Sequence, residues 1–416
     1  MTARTLVEPL LRRLRSGTLI VEESGRRRSY GFGEPRALVR VHSARAWREL
    51  LRGSIGLADA HADGLWDSPD LVSVVRLLAR NAGASDRLRG RLRPLVLPAE
   101  TVRAWANRST RARRRRDIAA HYDLGEQLFT RMLDPTMTYS CAVFEQPDTS
   151  LEQAQLAKLE LLCERLQLDA GDRVLEVGSG WGSFAVHAAS TRGCRLTTTT
   201  ISADQYAYVT GLVKRLGLSD RITVLCQDYR DLRGRYDKLV SIEMIEAVGW
   251  RHTGDLLAAC STLLERDGAM LLQAITIDDR LYEIEKASRS FINQRIFPGG
   301  ALPSIESLSR DVARRTDLQI ASLNDITRHY PTTLRHWRER VTADVSTLAE
   351  LGYDERFMRL WTLYLAYCEA GFAERRIGDS QLLLVKPGSQ LPKSGAAGVS
   401  MPVEGLATGG SVRTLR

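Results

Sequence analysis

The chain has 416 residues, 44% of them hydrophobic and 26% charged, the balance of a soluble protein long enough for two domains and a sizeable core. Its formal net charge of +9, mostly arginine, points to an anionic partner without choosing between nucleic acid, an acidic membrane surface and an acidic substrate. No uncharged apolar run reaches the roughly 18 residues of a membrane span, and six scattered cysteines with no C-x-x-C argue against a zinc site or a disulfide framework, so no metal is expected.

The N-terminus alternates arginines with apolar residues and reads as an amphipathic helix over about residues 5–16, not as a signal peptide. TLIVEES, SYGFG and ALVRVHS then alternate like strands of a small antiparallel sheet. Helical patterns follow at ARAWRELLRG and SPDLVSVVRLLARNAG, the second opened by Ser-Pro. Residues 1–105 are therefore expected to form a small α+β domain, in which His42 and His61 are structural or exposed. Residues 106–117 form a linker with six arginines between 108 and 116. It reads either as a solvated charge run or as a patch for phosphates. No aromatics interleave with the arginines, so lipid headgroups fit at least as well as nucleic acid.

From Ile118 the chain is rich in chemistry. IAAHYDLGEQLFTRMLDPTMTYSCAVF carries His121, Tyr122 and Asp123, then Tyr139, Ser140 and Cys141. A helix over 149–167 leads to VLEVGSGWG at 174–182, where a buried strand runs through Glu176 into a glycine turn and a helix. Glycines there let the backbone approach a ligand, and free N–H groups at the helix start suit a polar or anionic group. The turn lacks the third glycine of a dinucleotide fingerprint; an acid two residues before the first glycine is the version found in S-adenosylmethionine (SAM) methyltransferases. Strands and helices then alternate through RLTTTTIS, a helix from Ala203, RITVLCQD, YDKLVSIEMIEAVG, a helix over 253–265 and AMLLQAITI, which predicts a parallel sheet covered on both faces. The pattern over 280–370 is mainly helical, interrupted by IFPGGALPS, and QLLLVKPG at 381–388 is a closing strand. From residue 389 the composition is that of a disordered tail. Cys163, Cys194, Cys226 and Cys260 read as small core residues, and His187 as packed or exposed.

Residues 117–388 resemble the cyclopropane fatty acid synthases and the related mycolic acid methyltransferases. The resemblance rests on HYDLGEQLF, LDPTMTYSCAVF, VLEVGSGWG, TISADQ, QDYRDL, EMIEAVG, IFPGGALPS, HYPTTLRHW and YLAYCEAGF, in the family's order. QAITI and IEAVGWR are most similar to the actinobacterial branch. The resemblance implies a Rossmann-like class I SAM-methyltransferase catalytic domain over 118–388, preceded by a lipid-engaging N-terminal domain. It implies methyl transfer from SAM to a cis double bond of an unsaturated phospholipid acyl chain, closing a cyclopropane ring, or leaving a methylene branch as in some relatives.

By the same resemblance, SAM is contacted by Tyr139, Ser140, Gly178, Ser179, Gly180, Thr200, Ile201, Ser202, Gln205, Asp228 and Tyr229, with Asp228 accepting from adenine and Gln205 from the ribose. A bicarbonate ion is the family's base. Here it would be held by Glu246, Tyr330, the backbone of Cys141 and Ile275, and the side chain at 273, with Glu246 taking its proton. The synthases carry histidine where this chain has Gln273, and an amide donates a hydrogen bond without carrying a charge. Cys368 matches the family's essential cysteine and is expected to shape the pocket, without acting as a nucleophile. Trp337 and Trp361 are core residues expected to border the acyl pocket. The resemblance implies that the HYD segment folds over SAM as a lid, and His121 alone reads equally well as a cap of local structure. The implied protein is cytoplasmic and peripheral at the inner membrane face, a homodimer, with no nucleic-acid partner. A methyltransferase for a soluble small molecule is the competing reading.

Overall fold

The computed structural model describes residues 3–83, 125–286 and 288–391. The arginine run, the His121–Asp123 segment and the tail beyond 391 lie outside the described residues.

The N-terminal unit is α+β. Helix α1 (Ala3–Leu11) precedes β1 (Gly17–Glu23), β2 (Arg26–Phe32) and β3 (Arg36–Val41), and a two-residue strand β4 (Trp66–Asp67) completes a sheet of order β2-β1-β3-β4. Ser24 and Gly25 take positive φ (50° and 73°), the geometry of a tight hairpin whose twist matches its strands. The expectation of an antiparallel sheet fails at β3, which runs parallel to β1. Residues 33–35 carry the chain around the start of β1, where Thr18 donates its N–H to Pro35 O at 2.9 Å and its hydroxyl to Gly33 O at 2.8 Å. Helices α2 (Arg45–Leu50), α3 (Gly53–Ala62) and α4 (Leu71–Asn81) cover the sheet. Asp70, not the Ser-Pro pair, caps α4 through Ser73 N.

Helices α5 (Glu126–Met132) and α6 (Leu151–Leu166) lead into the main sheet. A capping box of Ser150 and Gln153 starts α6, close to the predicted position. The main sheet has seven strands: β5 (Arg173–Val177), β6 (Arg195–Thr200), β7 (Ile222–Cys226), β8 (Tyr236–Ile242), β9 (Leu264–Ile277), β10 (Gln319–Asp325) and β11 (Ile377–Val385), in the order β10-β11-β9-β8-β5-β6-β7. Strands β5 to β9 are parallel, and β11 runs antiparallel to β9 and β10. The alternating βα pattern of 173–277 therefore forms as read, but β11 is not the edge; β10, read as part of a helical stretch, lies outside it. One face is packed by α6, α7 (Ser183–Arg192) and α8 (Ala203–Arg215), the other by α9 (Thr253–Leu263) and α11 (Ile305–Arg315), which follows the short α10 (Asp279–Glu285).

A third apolar layer covers the carboxyl ends of the strands. It is built by α5, α12 (Tyr330–Ala343), α13 (Val345–Glu350) and α14 (Glu355–Ala373), with a π turn at Ile292–Ile296. The N-terminal unit docks here through α3 and α4. Glu374 binds Arg76 at 2.7 Å and Arg80 at 2.8 Å, and Asp59 takes both arms of Arg295 at 3.0 Å. The forked Arg–carboxylate geometry sets the orientation of the two units.

Candidate active site

Strand β5 ends in the glycine turn. Gly178, Gly180 and Gly182 have φ of 98°, 50° and 91°. A side chain at Gly178 would meet Met244 Cγ at 2.9 Å, whereas at Gly180 it would meet nothing within 4 Å among the described residues. The backbone at Gly180 is therefore open to close approach by a ligand. The expected free amides are a different matter: Gly178 N–H and Ser179 N–H both donate to Thr199 O, at 3.1 and 2.8 Å, and hold the turn itself. Glu176 is buried in β5 and accepts from the Thr198 hydroxyl at 2.5 Å; burial pushes its pKa up to about 8.

The other expected cofactor residues line the same edge. Thr200 and Ile201 end β6, the Thr200 hydroxyl donates to Gln205 Oε1 at 2.8 Å, and Ser202 caps α8. Asp228 and Tyr229 follow β7, but both oxygens of Asp228 bind the Arg230 guanidinium, at 2.8 and 2.5 Å, so adenine would share that carboxylate with Arg230. Ser140 Oγ accepts from the fully buried Lys158 at 2.9 Å, and Tyr139 OH meets Tyr364 OH at 2.7 Å. Trp181 of the glycine turn packs on Phe129, and Phe129 on Tyr139, which ties the turn to the wall of the cavity described below. An open glycine turn beside three consecutive strand ends fits a nucleoside-bearing cofactor.

Beside this edge lies a cluster of buried carboxylates. Glu246, on the one-turn helix after β8, accepts from Ile275 N–H at 2.6 Å through Oε1, while Oε2 has no hydrogen-bond partner among the described residues. Burial and the neighbouring Glu243 push its pKa up to about 8. Glu243, which sequence reasoning passed over, is the centre of the cluster. Its Oε1 accepts from Cys141 N–H at 2.8 Å and from Gln273 Nε2 at 2.7 Å, and its Oε2 accepts from Tyr330 OH. Gln273 Nε2 also donates to Asp379 Oδ2 at 3.0 Å, and Gln273 Oε1 accepts from Gln381 Nε2 at 3.1 Å. Strand pairing sets this up, since Gln273 of β9 is directly opposite Gln381 of β11. The five residues assigned to a bicarbonate site are thus brought together. However, the backbone donors of Cys141 and Ile275, the Tyr330 hydroxyl and the amide at 273 are already bound to Glu243 and Glu246, so the set does not fit an added ion.

The cluster opens on a cavity of about 930 Å³, near the top of the range for small-molecule sites. One end is lined by Glu243, Glu246, Ile275, Tyr330, Tyr364 and Cys368. The other runs into the N-terminal unit between Leu19, Val21, Val39, Trp47, Trp66 and Leu77, whose side chains are also core residues of that unit. Burial pushes the Cys368 thiol up to about 12, which agrees with a wall residue and not a nucleophile. Trp337 and Trp361 are buried one shell back, packing edge-on against Tyr330 and tilted against Tyr364, and so back the cavity instead of bordering it. Cys163, Cys194 and Cys260 are buried as expected, but Cys226 is exposed because β7 is the sheet's edge strand. His187 binds Glu160, His61 is buried against Trp66, and His42 pairs with Asp67 on the surface.

Two signals could have exposed the missed residues. Glu243 precedes Glu246 by three positions in the quoted motif. Asp379 and Gln381 stand two apart, on one face of a strand that continues into the apolar run LLLV.

The profile of the mycolic acid cyclopropane synthetase family matches residues 109–382. The tuberculostearic acid methyltransferase UfaA1 of Mycobacterium tuberculosis is 38% identical over 373 residues, 86% of each chain. The cyclopropane-fatty-acyl-phospholipid synthase of Escherichia coli is 34% identical over 350 residues, 83% of this chain and 87% of that one. Among solved structures, the cyclopropane synthase MmaA2 from Mycobacterium tuberculosis matches at a TM-score of 0.62 and 29% identity, covering 67% of this chain and all of the other. Mycolic acid cyclopropane synthase CmaA1, complexed with SAH and CTAB, matches at 0.61 and 30% identity, covering 65% of this chain and 98% of its own.

Proposed function

Because the chain belongs to the mycolic acid cyclopropane synthetase family, and so is a SAM-dependent methyltransferase, we propose that it methylates the cis double bond of an unsaturated phospholipid acyl chain and forms a cyclopropane ring. The observation that carries this reading is the long apolar cavity with a buried carboxylate cluster in its wall. An extended apolar substrate needs such a channel, and a carbocation needs a dry one. Tyr139, Tyr330 and Tyr364 line that end of the cavity, and aromatic rings are a class of side chain that stabilises a cation. SAM, held along Gly178–Gly180, Thr200–Gln205 and Asp228, supplies the methyl group. The chain's own residues do the rest: the cavity orients the alkene, excludes water and presents a carboxylate to the methylated carbon.

A second reading, a methylene branch in place of the ring, is favoured by the 38% identity to a tuberculostearic acid methyltransferase and by Gln273. The lipid itself is expected to be reached from an anionic membrane surface by peripheral contact. Among the described residues, no helix is long and apolar enough to cross a membrane.

The test is mass spectrometry of the acyl chains after incubating the protein with SAM and vesicles of a cis-unsaturated phospholipid. A gain of one CH2 that resists hydrogenation is the ring. The same gain that takes up hydrogen is the methylene branch. SAM binding with no gain in any lipid overturns the proposal in favour of a soluble substrate.

A further inference from the structure

We propose that Glu243 is the built-in base of this enzyme, its carboxylate standing in the place of an exogenous bicarbonate ion and taking the proton lost from the methylated acyl cation. This rests on the methyl-transfer reading above.

Three observations meet at this residue. The first is its hydrogen bonding. Cys141 N–H, Gln273 Nε2–H and Tyr330 OH converge on its two oxygens, a backbone amide, a side-chain amide and a phenol, all acting as donors. Such a set favours an anionic acceptor. The second is its backbone. Glu243 has φ of 47°, in the left-handed region, where any residue other than glycine is strained. Glycine would occupy this position without strain, yet the chain places a carboxylate here, directly after β8. The third is access. The residue is only partly exposed, and it lines the cavity, with Tyr330, Tyr364 and Cys368 around it.

The charged and titratable neighbours keep the roles apart. Asp379, hydrogen-bonded to Glu243, is driven well above the usual carboxylate range by burial and by the Glu243 charge, so it holds a proton. Glu246 is also protonated at neutral pH. Burial raises Glu243 too, against the lowering by Tyr330, Cys141 and the buried Lys158, and the net direction is upward. The Cys141 thiol and the Tyr330 phenol are pushed well up and stay neutral. What sets Glu243 apart from the other two acids is its three converging donors, which favour its ionised form. Gln273, Tyr330 and Asp379 are positioning residues.

The electron count closes. The alkene π pair forms a bond to the methyl carbon as that carbon's bond to sulfur breaks, and sulfur keeps its pair. The positive charge is left on the neighbouring acyl carbon. A C–H bond of the new methyl group then breaks, with its proton going to Glu243. The C–H pair closes the three-membered ring. If the hydrogen on the methylated carbon has first shifted as hydride to the cationic carbon, the same pair becomes the double bond of a methylene branch. Either way the products are S-adenosylhomocysteine, a neutral chain and one proton on Glu243.

The experiment combines activity with anion binding. Methylation of cis-unsaturated phospholipid vesicles is measured in carbonate-depleted buffer, with and without added bicarbonate, for the wild type, Glu243→Gln and Glu243→Gly. Binding of 13C-labelled bicarbonate is followed by NMR in the wild type and Glu243→Gly. The wild type is expected to work equally in both buffers and to bind no bicarbonate. Glu243→Gln should lose about 10²–10⁴-fold in rate, the range of general-base catalysis, with no rescue. Glu243→Gly vacates the donors and should bind the ion and regain activity with it. Bicarbonate bound by the wild type, a wild-type rate that collapses on carbonate depletion, or a Glu243→Gln rate within tenfold of wild type would each overturn the assignment. If the wild type methylates no lipid, the functional reading fails by itself, and bicarbonate binding still decides what occupies the donors.

Discussion

Tyr330→Phe tests the electrostatics of the cluster without disturbing its packing. The phenol ring is stacked on Phe372 with centroids 4.1 Å apart and meets Trp337 edge-on at 6.2 Å, and phenylalanine keeps both contacts. Only the hydrogen bond to Glu243 Oε2 is lost. A hydrogen bond to a charged group contributes about 1.5–3 kcal/mol, and one pKa unit corresponds to about 1.4 kcal/mol. That bond lowers the pKa of Glu243, so its removal raises it. A base works only when ionised, so the acidic limb of the pH–rate profile is expected to move to higher pH. The assay is the initial rate of methylation of phospholipid vesicles across about pH 6–9, paired with a melting curve to confirm folding. A limb that stays in place or moves to lower pH in a folded variant would refute the reasoning.

Other expectations follow from single groups. Glu246 has a folded pKa of about 8 against 4.5 for the free group, so the native state binds more protons than the unfolded chain between those values. Its contribution is fully present below about pH 4.5 and is lost as pH rises through 8, at up to about 1.4 kcal/mol per pH unit. The melting temperature of Glu246→Gln minus that of the wild type should therefore grow from pH 5 to pH 9; a flat difference would contradict it. Gly178→Ala forces a side chain into a left-handed φ of 98° and against Met244. It is expected to cost about 1–3 kcal/mol, seen as a melting temperature lower by several degrees, and to weaken SAM binding at least tenfold in calorimetry. Alkylation with iodoacetamide near pH 8 should modify the exposed Cys226 and spare Cys368, whose thiol titrates near 12. Peptide mass spectrometry that finds Cys368 labelled first would reverse that assignment.

Periodicity and turn chemistry made much of the main sheet legible. The run 173–277 alternates strands with helices at regular spacing, and each signal agrees with the next. Strand β10 escaped because Gln319–Asp325 is an edge strand with little buried surface, so it carries no alternating apolar face. The parallel pairing of β3 depends on how three residues round the start of β1, which composition does not encode. Glu243 was hidden for a different reason. Its partners Cys141 and Tyr330 are 102 and 87 positions away, and only the folded chain shows that their donors point at one carboxylate.

The inner end of the cavity has a thermodynamic consequence. Leu19, Val21, Trp47 and Leu77 make the core of the N-terminal unit and line the channel as well. An acyl chain, the substrate proposed above, would be solvated there by the same side chains that hold the unit together and would count as part of the fold. By mass action its binding free energy adds to the unit's resistance to unfolding. A substitution in this core, far from the reacting carbon, then registers as a change in apparent lipid affinity. On that reading, the supply of acyl substrate determines how long the enzyme persists as well as how fast it turns over.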